Sequence, residues 1–253
     1  MKRSALIVLA LFVAACEKAP APAAEKPAAV APVPAAPATA AAPSEEAPAA
    51  PISTAGLLHP DAAKLAATGP DSFVVHIVTS RGAVDLKIHR DWSPRGADRL
   101  YYLVSNGFYD SARFFRVING FMAQIGFSGD PAITAAWEHL TINDDPVKHS
   151  NTRGTVTFAK TGAPNSRGTQ LFINFGNNAN LDGAGFPPLG EVTNGMSAVD
   201  SLYSGYGEGG DMGGQGPLQG TIAREGNAYL TRNFPKLDYI KSARVSQEWK
   251  KGK

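Results

Sequence analysis

The chain has 253 residues, with 24 Lys and Arg against 22 Asp and Glu, and a single cysteine. One cysteine excludes an intramolecular disulfide framework and any CxxC redox or zinc motif. Loss of an N-terminal targeting segment would take Lys2 and Arg3 with it and leave 22 basic residues against 22 acidic ones. A neutral chain of that kind has no electrostatic reason to bind nucleic acid or an anionic surface.

In chain order, Lys2 and Arg3 precede a 12-residue apolar run over residues 4–15. That run is too short for a bilayer core of ~30 Å, which needs about 20 residues. It reads as a signal peptide over residues 1–15. The run Val13-Ala14-Ala15-Cys16 resembles the lipobox of bacterial lipoproteins. The resemblance implies lipidation of Cys16, a lipid-anchored protein of the bacterial cell envelope and a periplasm-facing location. Glu17, where inner-membrane retention is associated with aspartate, favours the outer membrane. An ordinary secretory signal with a chance cysteine is the alternative. Residues 16–71 read as a disordered tether. Of the 34 residues 19–52, 16 are Ala and nine are Pro, with no aromatic residue. Proline blocks helix continuation, and alanine supplies too little apolar area to collapse. A partly polyproline II spacer with a reach of at most about 100 Å follows.

Residues 72–248 read as one globular domain. Residues 74–89 form a hairpin, with Val84, Leu86 and Ile88 alternating with Asp85, Lys87 and His89. Ser93-Pro94 signals a helix start, the helix running to about Ser105 with Leu100, Leu103 and Val104 inward and ending at Asn106-Gly107. Strands are expected over 113–118 and 121–126, joined by the hairpin turn Asn119-Gly120. Further strands are expected over 154–159 and 169–174, a short helix over 197–203 and a closing strand over 237–245. Residues 205–220 hold eight glycines and read as a loop with no helix attached. Many short strands, few helices and glycine-rich turns argue for an antiparallel β-barrel, without saying which.

The common catalytic sets are missing: there is no cysteine nucleophile in the domain, no GxSxG elbow, no HExxH and no phosphate loop opening a helix. His59, His76, His89, His139 and His149 lack ligand-like spacing, so no metal is expected. What stands out is Phe114-Phe115-Arg116-Val117-Ile118-Asn119-Gly120-Phe121-Met122-Ala123-Gln124. Alternation places Met122 and Gln124 on one strand face, and Gln170 and Phe172 on one face of another. An apolar pocket bordered by one cation and two amides fits this pattern. So does ordinary core packing with a surface arginine.

The run resembles the cyclophilin signature Phe-His-Arg-Val/Ile-Ile-x-Gly-Phe-Met-x-Gln-Gly-Gly. Gly154-Thr-Val-Thr-Phe-Ala159 followed by Asn165-Ser-Arg-Gly-Thr-Gln170-Leu-Phe172-Ile-Asn174 is similar to the second signature of that family. Asn180-Leu181-Asp182-Gly183, Leu189-Gly190-Glu-Val and Gly195-Met196 are similar to its closing segment. The three occur in family order over residues 74–245. The resemblance implies a mainly β fold, an eight-stranded antiparallel β-barrel capped by two α-helices, and peptidyl-prolyl cis–trans isomerase activity. It implies Arg116 as the catalytic residue, oriented by Gln124. Phe121, Met122, Phe172 and Leu181 would line a proline pocket, with Ala159 and Gln170 along the neighbouring groove. No cofactor is implied. The partners would be proline-containing polypeptides and, through Cys16, a membrane; a monomer is expected.

Three positions depart from the family pattern. Phe115 stands where many members have histidine, and Ile125 replaces the first glycine of the usual pair. Asn180 occupies the place of a tryptophan by which cyclosporin-sensitive members hold that drug, so weak cyclosporin binding is expected. A cyclophilin-shaped holdase and a purely structural envelope lipoprotein are the rival readings.

Overall fold

A computed structural model describes residues 52–250. The signal peptide, Cys16 and the Ala/Pro run up to residue 51 lie outside the described residues.

The tether was expected to run to residue 71, but its last part is built onto the domain. Helical turns form at α1 (Ala55–Leu58) and α2 (Ala62–Leu65). Leu57 is fully buried. Its carbonyl accepts a hydrogen bond from the Trp137 indole at 2.9 Å, and Leu65 packs against the core. Leucines reappear where the Ala/Pro run ends, so this stretch has apolar area to bury and the spacer does not.

Strands β1 (Ser72–Thr79) and β2 (Gly82–His89) form the expected hairpin. Helix α3 (Pro94–Ser105) follows with Ser93 at its N-cap. The Ser93 hydroxyl does not cap the helix; it donates to Asp145 Oδ2 at 2.7 Å. That same carboxylate accepts from the backbone N–H of Arg95 and Gly96 at 2.9 and 3.0 Å. A distant acidic residue thus satisfies the free amides at the positive end of the helix. Leu100, Leu103 and Val104 are buried in the barrel core as expected.

The chain continues through β3 (Arg116–Ile118), β4 (Met122–Ile125), α4 (Pro131–Trp137), β5 (Thr155–Phe158) and β6 (Leu171–Asn174). Then come α5 (Asn180–Gly183), β7 (Pro188–Asn194), α6 (Met196–Asp200), α7 (Gln219–Asn233) and β8 (Ile240–Trp249). The eight strands form one sheet in the order β3-β4-β6-β5-β7-β2-β1-β8. Every neighbouring pair is antiparallel. The two ends of this order meet, because Ser111 N–H donates to Ile240 O and Phe114 N–H to Asp238 O, both at 2.9 Å. The mainly β, eight-stranded architecture is the expected one, accompanied by short helices.

Besides α1 and α2, helices α4, α5 and α7 and strand β7 had no clear trace in the sequence. Helix α7 is also the helix that residues 205–220 were expected to lack. It is broken at Gly226, where φ is +56°. A Cβ there would lie 2.3 Å from Gly129 O, so both the backbone angle and the close approach to α4 require glycine. This break disrupts the helical period that would reveal a 15-residue helix. On either side of the break, Ile222 and then Tyr229 and Leu230 form a second apolar cluster with Phe115 and Leu237, apart from the barrel interior.

If α1 is part of the domain, Leu57→Ala should destabilise it by about 2–5 kcal/mol, the usual cost of emptying a buried leucine site. Chemical denaturation followed by tryptophan fluorescence measures this; a midpoint equal to wild type would return the segment to the tether.

Candidate active site

The register of four strands sorts the site residues from the core. Arg116 of β3 pairs with Gln124 of β4, and Gln124 pairs with Phe172 of β6. Directly opposed residues share a sheet face, so these three form one row on the outside of the barrel. The next row, Val117, Ala123, Ile173 and Val156, points inward and belongs to the barrel core. Met122, two residues from Gln124, returns to the outer face. Ile125, at the departure from the family pattern, points into the core and touches no part of the site.

All eight residues singled out from the sequence, Arg116, Phe121, Met122, Gln124, Ala159, Gln170, Phe172 and Leu181, line one cleft of about 660 Å³. Met122 and Phe172 form its floor and are 1% and 5% exposed, closed off by their neighbours rather than by the barrel. Phe121 stands beside the arginine, its ring 5.8 Å from the guanidinium carbon. Phe186, which the sequence reading had not placed in the pocket, meets Phe172 edge-on at 6.0 Å and lines the same cleft. Trp137 of α4 and Gln219 of α7 also line it.

A chain of polar contacts crosses the cleft. Arg116 Nη1 donates to Gln124 Oε1 at 3.0 Å, and Gln124 Nε2 donates to Gln170 Oε1 at 2.8 Å. Gln170 Nε2 reaches Gln219 Oε1 at 3.3 Å, and the Ala159 amide donates to the Gln170 carbonyl at 2.9 Å. Gln124 is only 7% exposed, so its amide is held in one orientation by both partners. On the other side of the guanidinium, Arg116 Nε and Nη2 donate to the two carboxylate oxygens of Glu208 at 2.5 and 2.7 Å. The hydrogen bond from Arg116 holds the Glu208 carboxyl below its ordinary range, outweighing partial burial, which pushes it up. A depressed folded-state value means that this pair stabilises the fold above the ordinary carboxylate pKa. The contribution is lost only as pH falls through the lowered value. The pair is therefore intact throughout the neutral range.

The pocket wall that carries Leu181 and Phe186 rests on buried amides. Asn151 is fully buried; its Nδ2 donates to Asp182 Oδ1 at 2.7 Å and to the Phe186 carbonyl at 2.8 Å. Its Oδ1 accepts from Thr157 Oγ1 at 2.8 Å and from Asn174 Nδ2 at 3.3 Å. Asn178 Nδ2 donates to Asn174 Oδ1 at 2.6 Å and to the Phe121 carbonyl at 2.8 Å. This one network holds the backbones of Phe121 and Phe186 on either side of the pocket. Neither the network nor Glu208 was found from sequence. Thr157 and Asn174 lie in expected strands whose pattern says nothing of these partners, and Glu208 read as one carboxylate among glycines.

Among the described residues no group of three or more His, Cys, Asp or Glu side chains is placed to hold a metal. Nor is any helix long and apolar enough to cross a membrane.

Residues 74–222 match the family described as cyclophilin type peptidyl-prolyl cis-trans isomerase/CLD. The chain is 34% identical over 139 residues to peptidyl-prolyl cis-trans isomerase A of Dickeya dadantii, covering 51% of this chain and 70% of that one. It is 34% identical over 131 residues to peptidyl-prolyl cis-trans isomerase B of Escherichia coli, covering 49% and 80%. In fold it is similar to a cyclophilin type peptidyl-prolyl cis-trans isomerase of Cryptosporidium parvum, with a TM-score of 0.52 at 20% identity. That superposition covers 70% of this chain and 99% of the other.

Removing the centre of the amide network should loosen the pocket wall. Asn151→Ala leaves the fully buried Thr157 hydroxyl without its acceptor and the Phe186 carbonyl without the Asn151 donor, and an unsatisfied buried group costs about 1–3 kcal/mol. The expected result is a lower melting temperature together with a raised KM for a proline peptide. An unchanged KM in the folded variant would separate the network from the pocket.

Proposed function

We propose, from the premise that this chain belongs to the cyclophilin type peptidyl-prolyl cis-trans isomerase family, that Arg116 drives the isomerisation by stabilising a twisted prolyl amide. Membership makes the chain a peptidyl-prolyl cis–trans isomerase acting on proline-containing polypeptides. The observation that carries the mechanism is the convergence of Arg116, Gln124 and an apolar pocket of Phe121, Met122, Phe172 and Leu181 on one cleft.

Rotation about the X–Pro bond faces ~18–20 kcal/mol, because resonance holds the amide planar. No covalent step is needed, only tighter binding of the twisted amide than of the planar one. As the bond twists, the prolyl nitrogen becomes pyramidal and gains a lone pair. A guanidinium N–H aimed at that nitrogen stabilises the twisted state and little else. The pocket clamps the pyrrolidine ring while Gln124 and Gln170 offer amide groups to the substrate backbone. No group in this scheme changes protonation near neutrality, so the rate should be nearly flat from pH 6 to 8.

The setting is part of the proposal. Lys2, Arg3, the apolar residues 4–15 and Cys16 support a lipid-anchored, periplasm-facing enzyme that accelerates proline-limited folding of envelope proteins. Uncatalysed prolyl exchange takes tens of seconds, slow enough for such folding to benefit. Asn180 is exposed, which supports weak binding of cyclosporin.

Isomerisation of an Ala-Pro model peptide, measured without a coupling protease, tests the mechanism. Arg116→Ala should lose at least about tenfold in kcat/KM, equivalent to about 1.4 kcal/mol of transition-state stabilisation. Activity that survives the substitution would keep the enzyme and remove the arginine from the chemistry. Labelling with a radioactive fatty acid tests the anchor: the wild-type chain should incorporate label and Cys16→Ser should not.

A further inference from the structure

We infer that Glu208 is a positioning residue for Arg116, the glycine-rich stretch around it serving to deliver its carboxylate to the guanidinium. The inference rests on the reading of Arg116 as the catalytic donor.

The geometry is that of a clamp. A guanidinium carries five N–H donors in a rigid plane. Glu208 takes one on Nε and one on Nη2, and Gln124 takes one on Nη1. One N–H on Nη1 and one on Nη2 remain, apart from a weak contact between Nη1 and Met122 Sδ at 3.8 Å. With Nε and Nη2 on the carboxylate, the free N–H of Nη2 lies on the edge of the guanidinium away from its stem. A bidentate carboxylate fixes the plane of the group as well as its position. The Arg116 side chain is 14% exposed and that of Glu208 30%. Without the carboxylate, one glutamine contact would be left to hold a long, flexible side chain.

The loop is built around this contact. The Gly209 amide donates to Glu208 Oε1 at 2.8 Å, and the Gly216 amide to the Glu208 carbonyl at 2.8 Å. A Cβ at Gly214 would lie 2.1 Å from that carbonyl oxygen, so any larger residue would displace Glu208. Asp211 accepts a hydrogen bond from the backbone N–H of Gln219 and ties the loop to the start of α7. Helix α7 is docked in turn through Ile222, Tyr229 and Leu230 on Phe115. Two consecutive residues therefore reference the whole device. Phe115, at the position where the family pattern has histidine, faces α7, while Arg116 faces the cleft.

Two effects of opposite sign compete. The negative charge reduces the donor strength of the guanidinium, and the fixed orientation raises the fraction of time it is aimed at the amide. Glu208 is partly solvated, which screens its field, whereas the bidentate geometry is unaffected by solvent. Orientation wins, and the residue promotes turnover.

The test is a double-mutant cycle on the full chain with the protease-free Ala-Pro assay. Glu208→Gln should lower kcat about tenfold with little change in KM and only a small fall in melting temperature. Glu208→Asp, which keeps both oxygens, should recover part of that loss. In an Arg116→Ala background, Glu208→Gln should have no further effect, since the residue acts through the arginine. A Glu208→Gln kcat equal to or above wild type, or a tenfold loss that persists without Arg116, overturns the inference while leaving the arginine mechanism standing. An Arg116→Ala enzyme with full activity overturns both.

Discussion

The hydrogen-bond register that sets Arg116 opposite Gln124 and Gln124 opposite Phe172 is the constraint on which everything else rests. Side chains alternate along a strand, so one register decision separates the cleft residues from the barrel interior across three strands at once. Shifted by one residue, Arg116 would enter the core and Val117 would face solvent. The interior row prevents this, because Val117, Ala123, Ile173 and Val156 are all buried against one another. The hydrophobic effect on one face of the sheet thus places the polar chemistry on the other.

Around that sheet the chain adds two different supports. On the pocket side, a buried network of asparagine and threonine side chains holds the Phe121 and Phe186 backbones. Every member has partners, which is the condition under which buried polar groups stiffen a site rather than weaken it. On the arginine side, the support is an apolar cluster outside the barrel, with Phe115 as its anchor and α7 as its cover. The aromatic residue at this position follows from that arrangement. A histidine there would place an imidazole among Ile222, Leu230 and Leu237, where its polar nitrogens would be taken out of water.

How far these features were legible depends on the distance over which their causes act. The β1–β2 hairpin, α3 with its Ser93-Pro94 start, and the Asn119-Gly120 turn follow from neighbouring residues, and all three stand where the sequence placed them. The eight residues that line the cleft were singled out as a set only through the resemblance of their motifs to a known family. Helix α7 was not, because Gly226 breaks its period for the sake of a close approach to Gly129, a residue far away in the chain. The structured end of the tether was missed for a related reason. Leu57 has little local pattern to declare it buried; its burial comes from packing on the distant core, with Trp137 of α4 bonded to its carbonyl.

By itself, then, the sequence determined the mainly β class, the strand alternation and the turn positions. These are properties of local backbone preference and of residue type at fixed spacing. Tertiary structure alone decided that Glu208 reaches Arg116 across 92 positions of chain. It also decided that Asp145 caps a helix 50 residues before it, and that Phe115 is covered by α7. Such contacts arise when closure of the barrel brings distant segments within hydrogen-bonding reach. No local pattern encodes them, because neither partner's own neighbours require the other.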